Sequence, residues 1–383
     1  MYADMKFEKW TTNPVPKAHS ENKILTVSVA AYNVESTIER TLDSLVKDVP
    51  EEVLDALQVI VVNDGSKDGT LNIVKKYEES YPGTIRIIDK ENGGWGSTVN
   101  ASLREANGKY FRLLDGDDAF VTDNLVDYLR FLSESEADLV LTPFIKRYPD
   151  KDIVETHHAE IGQKMVTFCD LDVNSDLYMH GMAIKTDQMR NIGFEITEKC
   201  FYTDNEYVFK AIVAADSIQR FEKNIYIYYL GVTGQSVGSE GLKKHHTDTT
   251  KVLSKMYRIY KEFLNTPEVE YEEYRCFGNN ENTVSASDAN GSSASCVTIS
   301  SHTAKLQFLQ KGLAFIADLV FVAYLVTGTP EAKSELKAFD GELRDKYKEI
   351  DCLIQRNKKI RVLRASGFLM FGVLSKQVVK RYS

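Results

Sequence analysis

Between Lys23 and Phe144 the chain alternates strand-like and helix-like segments joined by short polar links, and this alternation restricts the fold more than any other feature. KILTVSVAA (Lys23–Ala31) is apolar and β-branched, and Asn33 leads into Val34, Ile38, Leu42, Leu45 and Val46, the spacing of one helical face. LQVIVVND (Leu57–Asp64) is apolar on both faces, as in the middle of a parallel sheet. The turn Gly65–Gly69 precedes a helix through Leu71, Val74 and Tyr77. TIRIID (Thr84–Asp89) reads as a third strand, followed by a helix Ser97–Ala106 that Asn107-Gly108 stops. KYFRLLD (Lys109–Asp115) reads as a fourth strand, Thr122 as the cap of a helix bearing Leu125, Leu129 and Leu132, and DLVLTPF (Asp138–Phe144) as a fifth strand. The succession predicts an α/β fold, an open, mostly parallel sheet flanked by helices. Ligands of such sheets sit beyond the carboxyl ends of the strands. Ala30–Asn33, Asn63–Ser66 and Asp115–Asp118 all fall at such ends, so one site draws on three of them.

The alternation ends near residue 234, and residues 235–383 read as a helical region. Thr249–Leu264 is amphipathic, and residues 278–301 form a polar, small-residue stretch expected to be an exposed loop. Gly312–Gly328 is apolar over 17 residues except for Asp318. That is short for a membrane span with a central charge, and predicts a helix packed in the core or on a membrane surface. Residues 1–22 are read as a tail.

Charge separates function classes. Lys+Arg number 47 and Asp+Glu 56, a net charge of −9, which excludes a general binder of nucleic-acid backbones. The last 28 residues invert the balance: Arg356, Lys358, Lys359, Arg361, Arg364, Lys376, Lys380 and Arg381 meet no acidic residue there. Ile360, Val362, Leu363 and Phe368–Phe371 interleave with these cations. This suits either peripheral binding to an anionic membrane surface or a helix docked on the acidic body. Five scattered cysteines (Cys169, Cys200, Cys276, Cys296 and Cys352) form no Cys-x-x-Cys pair, and MYADMKFEKW lacks the apolar core of a signal peptide. The expected location is therefore cytoplasmic, with the inner face of the plasma membrane as the peripheral site.

The chemistry concentrates in LLDGDD. Asp115, Asp117 and Asp118 follow a buried strand within four residues and repel one another unless a cation sits among them; the alternative is a solvated acidic turn that caps a helix. Asp64 can accept from a base or a ribose hydroxyl, or cap the next helix, and Tyr32 offers an aromatic face. Asn92-Gly93-Gly94-Trp95-Gly96-Ser97-Thr98 opens a helix whose N–H groups can hold phosphate or sugar oxygens. It lacks both the Lys of a P-loop and the Gly-x-Gly-x-x-Gly spacing of dinucleotide folds.

VAAYNVE, VIVVNDGSKDGT, ENGGWGSTVNASLREANGKYFRLLDGDD and CFYTDNEYVFKAI together resemble the successive motifs of the bacterial family 2 glycosyltransferases, over about Lys23–Val237. The resemblance implies a Rossmann-like GT-A domain over residues 23–234. It also implies inverting transfer of a sugar from a nucleotide-diphospho-sugar donor, UDP-linked, to a hydroxyl of a glycan or lipid-linked acceptor in cell-surface polysaccharide assembly. It assigns Ala31, Tyr32, Asn33, Asp64, Asn92, Gly93, Asp115 and Gly116 to the nucleotide-sugar, with Asp64 at the nucleobase. Asp115 and Asp117 would hold Mg2+ or Mn2+, with His245 as a third ligand. Asp204 would be the catalytic base and Glu206 its reserve; His180 would shape the acceptor pocket, and Gln235 and Ser236 a loop closing over the diphosphate. Two alternatives stay open: a nucleotidyltransferase, and a non-catalytic relative that supports a partner.

Overall fold

The computed structural model describes residues 23–231, 238–266 and 300–382. Among the described residues, eleven strands form two sheets: β1 (Leu25–Ala31), β2 (Leu57–Asp64), β3 (Ile85–Lys90), β4 (Tyr110–Asp115), β5 (Ala119–Phe120), β6 (Leu139–Leu141), β7 (Phe144–Arg147), β8 (Asp152–Glu155), β9 (Met182–Lys185), β10 (Ile218–Arg220) and β11 (Tyr226–Tyr229). The larger sheet runs β10-β6-β9-β4-β1-β2-β3 and is parallel except for β9, which is antiparallel to both neighbours. Every residue of β2 is buried, as its two-sided apolar sequence requires. From β1 the chain winds to β2 and β3 on one side, then returns to place β4 on the other. The crevice at that reversal, outside the ends of β1 and β4, is where an open sheet receives a ligand.

The expected fifth strand is two strands. β6 ends at Leu141, and Phe144 opens β7 in the smaller sheet, ordered β5-β11-β7-β8. Pro143 lies between them, and with no N–H to give a ladder it suits the crossing. Arg112 of β4, fully buried, ties this crossing to the next segment. Its guanidinium donates to Tyr128 Oη at 2.9 Å, Thr142 Oγ1 at 3.0 Å and the His180 carbonyl at 2.6 Å. Arg112→Ala should cost about 2–4 kcal/mol, because it leaves a cavity and a buried carbonyl without its donor. Chemical denaturation reads this directly. Thr122 is not a cap: its hydroxyl donates to the Ser44 carbonyl, and Thr122–Asn124 forms a short 3-10 turn before the helix Leu125–Glu134.

The apolar stretch near 312–328 belongs to a longer helix, Ser301–Thr327, which Ser300 opens by accepting from Thr303 N at 3.2 Å and Gly328 ends in left-handed backbone. It is the one helix among the described residues long and apolar enough to cross a membrane, and 61% of its most apolar window is buried in the protein. Leu309, Leu313, Ile316, Val320 and Phe321 join a core that extends from Val99 and Leu113 of the α/β part to Val378. Asp318, its single mid-helix acid, accepts from Asn357 Nδ2 at 2.5 Å and pairs with Lys359 at 3.3 Å. The expected polar loop falls, up to residue 299, outside the described residues, as does the tail 1–22.

Candidate functional site

The acidic turn is built on a glycine. A Cβ at Gly116 would lie 2.8 Å from the Ala30 carbonyl and 3.1 Å from Val34 Cγ2, so only glycine lets the end of β4 press against the end of β1. Gly116 N donates to Ala30 O at 2.9 Å, and its carbonyl accepts from Thr37 and Thr41 hydroxyls, each at 2.9 Å. Thr41 also donates to the Asp118 carbonyl at 2.7 Å. The turn is thus fixed by the helix Ile38–Val46 and its preceding residue.

Its carboxylates are held from several directions. Asp115 Oδ1 accepts from Trp95 Nε1 at 2.8 Å, a link from the Gly-rich loop. Asp118 is buried; Oδ2 accepts from Tyr226 Oη at 2.5 Å and Oδ1 from Tyr229 N at 2.9 Å, both on β11. Burial first, then the Asp117 and Asp204 charges, pushes Asp115 up to about 7. Burial and then Asp115 and Asp117 push Asp118 up to about 9. Asp117 is also raised by burial, against the opposing charge of Arg40, whose guanidinium donates to the Asp117 carbonyl and lies 3.8 Å from the Tyr229 ring centre.

His180 completes the group. Ligand atoms of Asp115, Asp118 and His180 all lie within 4.8 Å of one another, the one such cluster among the described residues. The imidazole stacks on Tyr228 with ring centres 4.2 Å apart, and its buried Nδ1 has no hydrogen-bond partner. Burial, with Lys146 and Arg112 nearby, pushes its pKa down to about 3, so it is neutral near pH 7. Crowded carboxylates beside a neutral imidazole with an orphaned nitrogen fit a divalent cation, and the mixed oxygen–nitrogen set suits Mn2+ better than Mg2+. The expected set of Asp115, Asp117 and His245 is therefore only partly assembled. The Asp117 carboxyl lies outside the cluster, and His245 stacks on Phe201 at 3.5 Å with Asp248 at 3.5 Å from its Nδ1.

Asp204 opens the helix Asp204–Ala214. Its side chain is open to solvent, yet the protein around it raises its pKa, the combination expected on the floor of a cleft. Its charge acts on Asp115 and Tyr228, so it stands near the acidic turn. Glu206, the expected reserve base, is fully buried: it accepts from Thr197 N at 3.1 Å and pairs with Lys210 at 3.1 Å, so it serves packing. Gln235 and Ser236 lie outside the described residues.

Asp64 is turned inward rather than toward a nucleobase. Its Oδ1 accepts from Lys90 Nζ at 2.8 Å, Gly93 N at 2.9 Å and Ser97 Oγ at 3.2 Å, and its Oδ2 from Gly94 N at 2.8 Å. Those donors crowd Oδ1, and the Gly93 N–H is given to Asp64 instead of to a ligand. Asn92 Nδ2 also donates to the Asp64 carbonyl at 2.9 Å. Asp64 thus shapes the loop that carries Trp95 to Asp115. At the end of β1, Ala31 is buried, Tyr32 is 51% exposed over the crevice, and Asn33 takes left-handed backbone while accepting from Lys67 N at 2.8 Å.

Sequence reasoning missed Trp95, Arg112, Tyr226 and the position of His180 beside the acids. An alternating aromatic strand, IYIYY, is the one signal that pointed to β11. His180 and Arg112 are joined through a sheet crossing that no local pattern encodes.

Residues 26–193 match the sequence profile described as Glycosyl transferase family 2. Over 123 residues the chain is 35% identical to the uncharacterized glycosyltransferase MG025 homolog of Mycoplasma pneumoniae, covering 32% of this chain and 39% of that protein. It is 30% identical over 188 residues to the minor teichoic acid biosynthesis protein GgaB of Bacillus subtilis, covering 47% and 20%. It is 34% identical over 116 residues to the poly(ribitol-phosphate) beta-N-acetylglucosaminyltransferase TarS of Staphylococcus aureus, covering 30% and 20%. The matches span about two fifths of the first curated relatives' length. Among solved structures, S. aureus TarS 1–349 in complex with UDP-GlcNAc superposes with a TM-score of 0.59 at 20% identity, covering 94% of this chain and 91% of that one. The strand order and the superposition agree on a GT-A fold, and residues 26–193, which include the acidic turn, carry the family 2 glycosyltransferase profile.

Proposed function

We propose that this chain transfers a sugar from a UDP-linked donor, with inversion, to a hydroxyl of a cell-surface glycan or lipid-linked acceptor in the cytoplasm. The observation that carries the reading is the meeting of Asp115, Asp118 and His180 with Asp204 around one crevice. Tyr32 offers its exposed ring to the base, and Trp95 holds Asp115 in place through its indole N–H. Asp115, Asp118 and His180 would hold the divalent cation, with Asp117 on the same turn; bound there, it offsets charge developing on the departing diphosphate. Asp204 accepts the proton of the acceptor hydroxyl as that oxygen bonds to the sugar's anomeric carbon and the carbon–diphosphate bond breaks. The raised pKa makes Asp204 a stronger base than an ordinary aspartate. The name of GgaB concerns minor teichoic acid biosynthesis and that of TarS a poly(ribitol-phosphate), which favours a polyol-phosphate acceptor.

A thermal-shift screen of nucleotide sugars with and without Mn2+ tests the donor. A ligand at 100 times its Kd adds about 2.7 kcal/mol of stability, so the true donor should stand clear of the rest. UDP-GlcNAc raising Tm only with Mn2+, followed by UDP release on adding acceptor, is the expected pair of results. Release of pyrophosphate would assign a nucleotidyltransferase instead.

A further inference from the structure

The C-terminal cations and apolar residues do not act as one block. Ile360, Leu363, Phe368 and Phe371, for which the sequence left both a membrane surface and the body open, are buried against the body. Arg364 pairs with Asp340 at 2.7 Å and Asp351 at 2.6 Å, and Lys359 with Asp318. These contacts hold the tail down and leave a different set of residues outside.

A tight turn selects that set. After the helix Lys358–Ala365, Gly367 and Phe368 both adopt left-handed backbone, and Phe368 N donates back to Leu363 O at 2.8 Å. Phe368 is driven inward, and Leu369 is thrown out to 82% exposure. The helix Phe371–Tyr382 then packs through Leu374 and Val378 and turns Val373, Lys376 and Lys380 outward. Positions 373, 376 and 380 recur at helical spacing and lie on one stripe, with Leu369 exposed in the turn just before the helix begins. Met370 flanks the apolar end at 38% exposure. Lys376, Lys380 and Arg381 make no ion pair among the described residues, and no acidic side chain occurs from residue 356 onward.

We propose that this stripe docks the protein on an anionic lipid bilayer. Leu369, Met370 and Val373 enter the boundary between headgroups and acyl chains, and Lys376, Lys380 and Arg381 lie against lipid phosphates. Charged residues are depleted from the centres of protein interfaces, whereas exposed aliphatic side chains bordered by unpaired cations are what a negatively charged bilayer selects. Docking through this stripe does not depend on the transfer chemistry.

Flotation of the full chain with phosphatidylcholine vesicles, with and without phosphatidylglycerol, tests it. The wild type should float only with phosphatidylglycerol and be released by high salt. Removing each cation should weaken partitioning about five-fold, so the double variant K376Q/K380Q loses about 25-fold. L369S/V373S should lose roughly ten-fold or more, with an unchanged melting curve because both side chains are exposed. Equal flotation with neutral vesicles, or full flotation by L369S/V373S, overturns the proposal. So does a self-associated species that L369S/V373S dissolves while no vesicle binding is seen, which would assign the stripe to a second copy of the chain.

Discussion

Asp204→Asn is expected to lower the rate of sugar transfer about 10³-fold while the affinity for UDP and Mn2+ stays close to wild type. General-base catalysis by a positioned side chain contributes typically 10²–10⁴-fold, and the amide keeps the shape of the carboxylate without its basicity. Asp204 stands at the first turn of its helix, where its Oδ1 already accepts from Asn205 Nδ2 at 3.1 Å, so the isostere fits. Single-turnover kinetics with saturating donor separate the chemical step from binding. Full turnover in this variant would remove Asp204 from the reaction. Glu206 could not take over, because its carboxylate is enclosed with Lys210.

The second large effect concerns the cation. Asp115→Ala should weaken Mn2+-dependent binding of UDP about a hundred-fold or more, with His180→Ala costing at least ten-fold, as loss of a ligand exceeds loss of a supporting contact. Isothermal calorimetry measures both, and unchanged Mn2+ affinity in His180→Ala would place the ion elsewhere. The pH dependence has a definite sign. Without the ion Asp115 titrates near 7 and Asp118 near 9, so near pH 7 the cluster retains protons that a cation must displace. Affinity should therefore climb from pH 6 to 9. The stability of the ion-free protein should move the opposite way. These acids bind protons more tightly folded than unfolded, so their contribution is complete at low pH and is lost as pH rises through 7 to 9. Melting curves across that range, with and without Mn2+, report the two slopes together.

The parts legible in the sequence are those governed by local pattern. β2 announced itself through LQVIVVND, and the acidic turn through three carboxylates after a buried strand. The resemblance to family motifs added Asp204, whose charge acts on Asp115. What local pattern could not give was the other side of each contact. A carboxylate after a strand can face a ligand or its own loop, and only the approach of Lys90, Gly93 and Gly94 decides that Asp64 faces inward. Asp138–Phe144 carries the composition of one strand, but Arg112 and the second sheet pull its end away. His180 sits far from Asp115 in sequence, and β9 returning antiparallel beside β4 brings the residues just before it to the acids.

The largest of the apolar cores, which runs from Val99 to Val378, limits how such an enzyme can be modularly reused. Phe209 from the helix that begins with Asp204, and Leu113 from the strand that ends at Asp115, rest in the same apolar mass as Leu313 and Phe321. Grafting the α/β half alone onto another scaffold would strip the backing from both Asp204 and the acidic turn. A transplant that keeps the chemistry has to carry the helical half with it.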